Sequence, residues 1–224
     1  NLIRTKINQN NMKAHTAESQ ATITPKRALE ILKEGNGRFV QNIKMNRNLL
    51  QQVNETRSGQ WPFATILSCI DSRTSAELIF DQGLGDIFSV RIAGNFVNDD
   101  ILGSMEFSCS VAGSKLVVVL GHTKCGALKG GLDAAIVDGL GLKHLTQLVH
   151  KFDTAIRAEI KPGEERTSSN EDLLNRITYK HVYLTMNEIR EKSPALATME
   201  KEGKILIVGG VYDLESGEVF FLES

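Results

Sequence analysis

The feature that most constrains the fold is an alternation of short apolar runs with longer segments of helical periodicity. The clearest run, Leu116 to Leu120, is rich in β-branched residues and is bounded by glycines. Similar runs cover residues 63–68, 87–92 and 204–211. Strands that alternate with helices form parallel sheets. We therefore predict an α/β fold with a mostly parallel, four-stranded central sheet flanked by helices.

The two ends of the chain are predicted to differ from this central pattern. The turn Glu215-Ser216-Gly217 separates the last apolar run from a shorter one at 218–222, which predicts an antiparallel C-terminal edge strand. Residues 1–23 are polar and have little periodicity, which predicts a mobile N-terminal arm that is helical in part. Because no break in composition follows, we predict that residues 24–224 form one domain.

Several helices are predicted between the strands. Thr24 and Pro25 provide a cap and a first-turn proline, and Gly35 is predicted to end this first helix. The remaining predicted helices cover residues 47–58, 75–80, 101–111, 142–160 and 171–189. Residues 161–170 are predicted to form a loop.

Composition excludes some classes of partner and structure. The chain of 224 residues has 26 Lys and Arg against 27 Asp and Glu, so its net charge of −1 gives no reason to expect nucleic acid or an anionic membrane. The apolar runs are too short to span a bilayer. With three cysteines, a disulfide framework is excluded, and the thiols are candidates for buried residues, metal ligands or a nucleophile.

The cysteine content also bears on the compartment. Thiolate ligands persist best where they stay reduced, and no apolar secretory segment is visible, so a cytoplasmic location is predicted. The chain begins with Asn1, and a periplasmic location is the alternative if the missing methionine reflects signal cleavage.

Two polar segments follow predicted strands, one at residues 69–73 and one at 121–126. Ligands bind beyond the carboxyl ends of parallel strands, so we expect Cys69, His122 and Cys125 to meet there. Two thiolates, one imidazole and an open fourth position are typical of a catalytic zinc site. The simpler interpretation is that each cysteine is a buried small apolar residue, which is the commoner role of a single cysteine after a strand.

Three motifs together point to a family. They read Cys69-x-Asp71-x-Arg73, Arg91-Ile92-Ala93-Gly94-Asn95 and Gly121-His122-x-x-Cys125-Gly126. This pattern resembles the β-class carbonic anhydrases, and the resemblance runs from about Thr24 to the C-terminal strand. It implies reversible hydration of CO2 to bicarbonate and a proton, with one Zn²⁺ per subunit. It also implies that Cys69, His122 and Cys125 are the zinc ligands and that Asp71 and Arg73 form a catalytic dyad.

The resemblance extends to residues that bind substrate. Gln60 matches a glutamine that hydrogen-bonds the substrate in the plant-like branch, and Phe88, Ala93 and Gly126 match other positions of the CO2 pocket. Ile66 stands where branches regulated by bicarbonate have a tryptophan, so the plant-like branch is favoured. That branch has a tyrosine where this chain has Phe107. The family implies a homodimer as the minimum unit, or a tetramer, with the site at the subunit interface.

Chemistry assigns roles to the dyad. Zinc-bound hydroxide would attack CO2, but two thiolates cancel the formal charge of the ion, so the bound water needs help to lose its proton. Asp71 can accept a hydrogen bond from that water, and a bidentate Arg73 can hold Asp71 away from the metal. At lower pH, we predict a closed state in which Asp71 itself is the fourth ligand. The alternative is that Asp71 and Arg73 form only a structural ion pair.

The sequence pattern leaves two other functions open. The same fold and metal could hydrolyse carbon disulfide or carbonyl sulfide, and a structural zinc module is the alternative outside enzymes. Thiol redox chemistry is disfavoured because the chain has no Cys-x-x-Cys.

Cys109 lies on an apolar helical pattern and is predicted to be a core thiol. Arg91 is expected to anchor a loop or a dimer contact, and the histidines at 144, 150 and 181 to be structural or at the surface.

Overall fold

A central β-sheet organises the residues that the computed structural model describes, which are residues 13–222. Its strands are β1 (Ala64–Ser68), β2 (Ile87–Arg91), β3 (Leu116–His122), β4 (Leu206–Tyr212) and β5 (Val219–Phe221). The strand order is β2-β1-β3-β4-β5; the first four strands are parallel, and β5 pairs antiparallel with β4. This confirms the predicted α/β sheet and places β1 and β3, the two strands that lead to the candidate ligands, side by side.

Helices surround the sheet. They are α1 (Ala17–Ala21), α2 (Pro25–Val40), α3 (Leu49–Thr56), α4 (Ala76–Ile79), α5 (Asp99–Glu106), α6 (Gly126–Leu132), α7 (Ala134–Asp138), α8 (Lys143–Val149), α9 (Asp153–Glu159), α10 (Glu171–Lys192) and α11 (Pro194–Lys201). Within residues 13–222, none of these helices combines the length and the apolar character that crossing a bilayer requires.

Strand β3 is buried on both faces of the sheet. Leu116, Val118 and Leu120 pack in a core cluster that includes residues of α2 and α4. Val117 and Val119 point the other way, into a cluster that includes residues of α5, α10 and α11. A strand covered on both faces needs a continuous apolar run, which explains why β3 is the clearest signal in the sequence.

The predicted end of the first long helix is wrong. Helix α2 continues through Gly35 to Val40. A Cβ at Gly35 would lie 1.8 Å from the carbonyl oxygen of Phe80, so this glycine allows close packing of α2 against the end of α4 and does not cap the helix.

Other helix boundaries also differ from the prediction. The predicted 101–111 helix is α5 followed by a π-helical turn at Phe107–Val111, and the predicted 142–160 helix is divided into α8, a 3₁₀ turn at His150–Phe152 and α9. Helices α6, α7 and α11 were not predicted. Helices α3, α4 and α10 and the 161–170 loop occur where they were expected, within a few residues at each end.

Part of the predicted N-terminal arm contacts the sheet. Residues 1–12 lie outside the described residues, but α1 is present, and the buried side chain of Gln20 donates hydrogen bonds to the carbonyl oxygens of Pro62 (2.6 Å) and Ala112 (2.8 Å). Its Nε2 therefore joins the backbone just before β1 to the backbone just before β3. The division of the chain into an arm and one domain stays a prediction.

A buried carboxylate connects α2 with the segment after α4. Asp81 accepts hydrogen bonds from Arg38 Nε at 2.6 Å, from the backbone N–H of Met45 at 3.2 Å and from Arg47. Burial alone would raise the pKa of Asp81, but these bonds outweigh it and hold the pKa below its usual value. The buried charge is thus compensated by two guanidinium groups.

We expect Asp81→Asn to lower the free energy of unfolding by about 3 kcal/mol, because it leaves two largely buried arginines without their counter-charge. Urea denaturation at pH 7 measures this difference. Since the pKa of Asp81 is depressed on folding, its stabilising contribution is complete above about pH 4 and is lost as the pH falls through its folded value. Glu30→Gln removes an exposed partner of Arg27 and is the control, with an expected change under about 1 kcal/mol. Equal losses in the two variants would contradict the prediction.

Candidate metal centre

Three buried side chains meet at the carboxyl edge of the sheet. Cys69 follows β1, His122 is the last residue of β3, and Cys125 precedes the first residue of α6. One nitrogen of the imidazole and the two sulfur atoms all lie within 4.8 Å of one another. The adjacency of β1 and β3 therefore brings together the three predicted ligands.

The donor set fits a zinc ion. His122 Nδ1 is 2.9 Å from the carbonyl oxygen of Thr123, so this nitrogen carries the proton and donates, while the buried Nε2 has no hydrogen-bond partner. An unpartnered imidazole lone pair beside two sulfur atoms matches the soft ligand set that zinc prefers. Cys109 is not part of this group, so the described residues supply three donor atoms, and a four-coordinate ion would take its fourth ligand from elsewhere.

The pKa values of the two candidate ligand thiols are shifted in opposite directions. The Cys125 thiol, His122 and the backbone N–H of Gly94, which is 3.5 Å from the Cys69 sulfur, lower the pKa of Cys69. The interaction with Cys69, together with burial, raises the pKa of Cys125. A divalent cation would displace the remaining proton, because metal ligands must be thiolates.

Asp71 and Arg73 form the predicted ion pair. Arg73 Nε and Nη2 donate to the two carboxylate oxygens at 2.9 and 2.7 Å, and the backbone N–H of Arg73 adds a bond of 3.0 Å. These bonds hold the pKa of Asp71 well below its usual range, with a smaller contribution from His122. The carboxylate is mostly buried, whereas more than half of the Arg73 side chain is exposed.

The backbone that carries Cys69 and Asp71 is fixed by two further side chains. Arg91 Nε donates to the carbonyl oxygen of Cys69 at 3.0 Å, and its Nη2 donates to that of Asp71 at 2.5 Å. The Thr74 hydroxyl donates to the same two oxygens at 3.1 and 2.8 Å. The expectation that Arg91 anchors a loop is confirmed. Thr74 was missed; its signal is a short hydroxyl side chain directly after the motif.

The four predicted substrate-binding residues lie in two places. Ala93 begins the 3₁₀ turn Ala93–Asn95, whose Gly94 contacts Cys69, and Gly126 directly follows Cys125. Phe88, however, pairs with Thr65, which is four residues and about 13 Å along the strand from Cys69. Gln60 precedes β1 and lies near Gly85, which precedes β2. Gln60 and Phe88 are therefore at the opposite end of the sheet from the ligands of the same chain.

Cys109 and the histidines at 144, 150 and 181 do not belong to the donor group. Burial raises the pKa of Cys109 to about 12, which confirms the predicted core thiol. His144 is exposed, and His150 is paired with Asp138 and Asp153. His181 is buried, and burial lowers its pKa to about 4.

These observations define a class: an α/β protein with a candidate catalytic metal centre at the carboxyl edge of a parallel sheet. The sequence profile of the family described as "Carbonic anhydrase" matches residues 64–219. Carbonic anhydrase 2 of Mycobacterium tuberculosis is 37% identical over 197 residues, which cover 86% of this chain and 90% of that protein.

Solved structures agree with this assignment. The β-carbonic anhydrase CafA of Aspergillus fumigatus superposes with a TM-score of 0.64 and 25% identity, over 88% of this chain and 90% of its own. Tetrameric β-carbonic anhydrases of Sordaria macrospora share the fold, with a TM-score of 0.65 and 21% identity, over 76% of this chain and 85% of theirs. The chain belongs to the β-carbonic anhydrase family and is an enzyme of that class.

We expect Cys125→Ala to bind much less divalent metal than the wild-type chain, since it removes one of the three candidate donor atoms. Elemental analysis of the purified protein should give about one metal ion per wild-type chain and a small fraction of that in the variant. Cys109→Ala is the matched control, because this buried thiol is outside the donor group. Equal metal content in the two variants would show that the three side chains are not a metal site.

Proposed function

We propose that this chain catalyses the reversible hydration of CO2 to bicarbonate and a proton with one Zn²⁺ per subunit, bound by Cys69, His122 and Cys125. The observation that carries this proposal is the convergence of three soft donor atoms within 4.8 Å in a member of the carbonic anhydrase family. When bound, zinc would lower the pKa of a water ligand from about 15.7 toward 7 and so supply a nucleophile at neutral pH.

Asp71 is proposed to accept a hydrogen bond from the nucleophilic oxygen, which keeps its proton. Its carboxylate follows Cys69 by two residues and is ionised because Arg73 donates three hydrogen bonds to it. An ionised carboxylate can accept a hydrogen bond from the O–H group of the nucleophile and so direct an oxygen lone pair toward the carbon of CO2. The two ligand thiolates offset the charge of a divalent cation, which makes this orientation more important than at a site with neutral ligands.

Arg73 has two proposed roles. It keeps Asp71 ionised, and its bidentate bonds engage both carboxylate oxygens, so they compete with direct ligation of a metal ion by Asp71. The closed state at lower pH, in which Asp71 is a metal ligand, requires this pair to separate and stays a prediction.

A second copy of the chain is proposed to complete the substrate pocket. Gln60 and Phe88 are too far from Cys69 to line a pocket with it in one chain. Phe88 lies on the outermost strand, β2, where its ring is 6.3 Å from that of the half-exposed Phe107. This apolar edge suits a homodimer in which each copy supplies Gln60 and Phe88 to the other. A tetramer, as in the Sordaria relatives, is compatible with it.

The thiols also bear on the proposed compartment. The three cysteines are buried and unpaired. Two of them must be thiolates for the proposed chemistry, so a reducing compartment such as the cytoplasm is proposed.

We expect Asp71→Asn to lower kcat for CO2 hydration about 100-fold, because an amide cannot replace the ionised acceptor. Stopped-flow measurement of proton release tests this, with metal content determined in parallel to show that the centre is intact. Asp138→Asn, an exposed change of the same type, is the control and should retain wild-type turnover. Since the pKa of Asp71 is depressed, the carboxylate stays ionised above about pH 4, and loss of wild-type activity between pH 8 and 6 must come from another group. Full activity in Asp71→Asn would refute the proposed role.

Subunit mixing tests the shared pocket. Gln60→Ala and Cys125→Ala should each have little activity alone. In a mixed dimer, one site combines the metal ligands of the Gln60→Ala chain with the intact Gln60 of the other chain. Co-expression should therefore restore about a quarter of wild-type activity, because half of the dimers are mixed and each has one complete site. If Gln60 acts within its own chain, the mixture will show only the activities of its parents.

A further inference from the structure

A buried histidine that the proposed mechanism does not use lies behind the metal centre. His181, on α10, is 7% exposed, and its Nε2 is 2.7 Å from the carbonyl oxygen of Gly94. The rings of Phe96 and Phe152 pack edge-on against the imidazole, each with a centroid distance of 4.7 Å. Because His181 is buried and neutral, this nitrogen carries the single ring proton and donates it to Gly94.

The Gly94 turn connects this histidine to a metal ligand. Gly94 has a φ of +73°, and a Cβ there would lie 2.6 Å from the Phe96 ring and 2.9 Å from the Phe152 ring. Only glycine fits this crowded, left-handed position. The carbonyl of Gly94 accepts from His181, while its N–H is 3.5 Å from the Cys69 sulfur. One residue therefore contacts the histidine through one atom and the candidate ligand through another.

We propose that His181 is a positioning residue for the metal centre: by holding the Gly94 carbonyl, it keeps the Gly94 N–H directed at the sulfur of Cys69. A hydrogen bond to a metal-bound thiolate withdraws electron density from the sulfur, so the thiolate gives less charge to the metal. This matters most where two thiolates are ligands, because their charge opposes the Lewis acidity on which hydration depends. The inference rests on the metal site proposed above.

If His181 served only to fill the core, its substitution would have different effects. A histidine that only fills the core stabilises the fold through its contacts with Phe96 and Phe152, and any replacement of similar volume would affect stability without altering the metal. The positioning role instead requires an N–H donor at this location. Variants that separate volume from donor capacity therefore distinguish the two roles.

The test uses the full chain loaded with Co²⁺, whose sulfur-to-metal charge-transfer absorption reports the electron density on the thiolates. His181→Phe keeps an aromatic ring but has no donor, whereas His181→Gln keeps an N–H. We expect the absorption band to shift in His181→Phe and the metal to pass to a competing chelator about tenfold faster, with both properties near wild type in His181→Gln. A wild-type band and release rate in His181→Phe would overturn the proposal.

Thr185→Val is the matched control, because Thr185 is buried one turn further along α10. It should lower the melting temperature without moving the absorption band. If Thr185→Val shifts the band and the release rate as much as His181→Phe does, the effect is one of packing and the proposal fails.

A measurement on the wild-type chain does not depend on the variants folding. With ¹¹³Cd²⁺ as the bound metal, a hydrogen bond from Gly94 to Cys69 predicts a scalar coupling between the Gly94 amide proton and the cadmium nucleus. Absence of this coupling in the metal-loaded protein overturns the inference while leaving the proposed function intact. If the wild-type chain binds no divalent metal, the proposed function fails, and the inference fails with it.

Discussion

The structure depends on placing two sulfur atoms and an imidazole lone pair together inside a protein. Such a group is unfavourable by itself, because buried charges and unpartnered polar atoms lose their hydration. The unpartnered Nε2 of His122 and the opposite shifts in the pKa values of Cys69 and Cys125 are both signs of this cost. A divalent cation held by these three donor atoms, as proposed above, would resolve this conflict.

Around this centre, the backbone is held by side chains that do not bind the metal. Arg91 and Thr74 fix the carbonyl oxygens of Cys69 and Asp71, and the N–H of Gly94 reaches the Cys69 sulfur. A loop that is secured at successive residues can hold Asp71, two residues after Cys69, in its ion pair with Arg73. The geometry of this site therefore depends on the loop as much as on the three donor residues.

Sequence reasoning predicted the features that depend on local pattern. The strands were found because β1, β3 and β4 are buried and therefore apolar, and the meeting of Cys69 with His122 followed from the adjacency of β1 and β3. It failed where tertiary contacts decide the outcome. Glycine commonly ends helices, but the role of Gly35 is set by its close contact with Phe80, which is distant in sequence. The location of Gln60 at the far end of the sheet and the inward orientation of His181 likewise depend on packing that no single segment encodes.

The two hydrogen bonds from Gln20 have a practical implication for shortened versions of this enzyme. They connect the segments that lead into β1 and β3, the same strands whose other ends lead to Cys69 and His122. A protease cut or a cloning boundary placed after Gln20 would expose the carbonyls of Pro62 and Ala112 and free the starting points of both strands. Damage at one end of these strands would then affect the site at their other end.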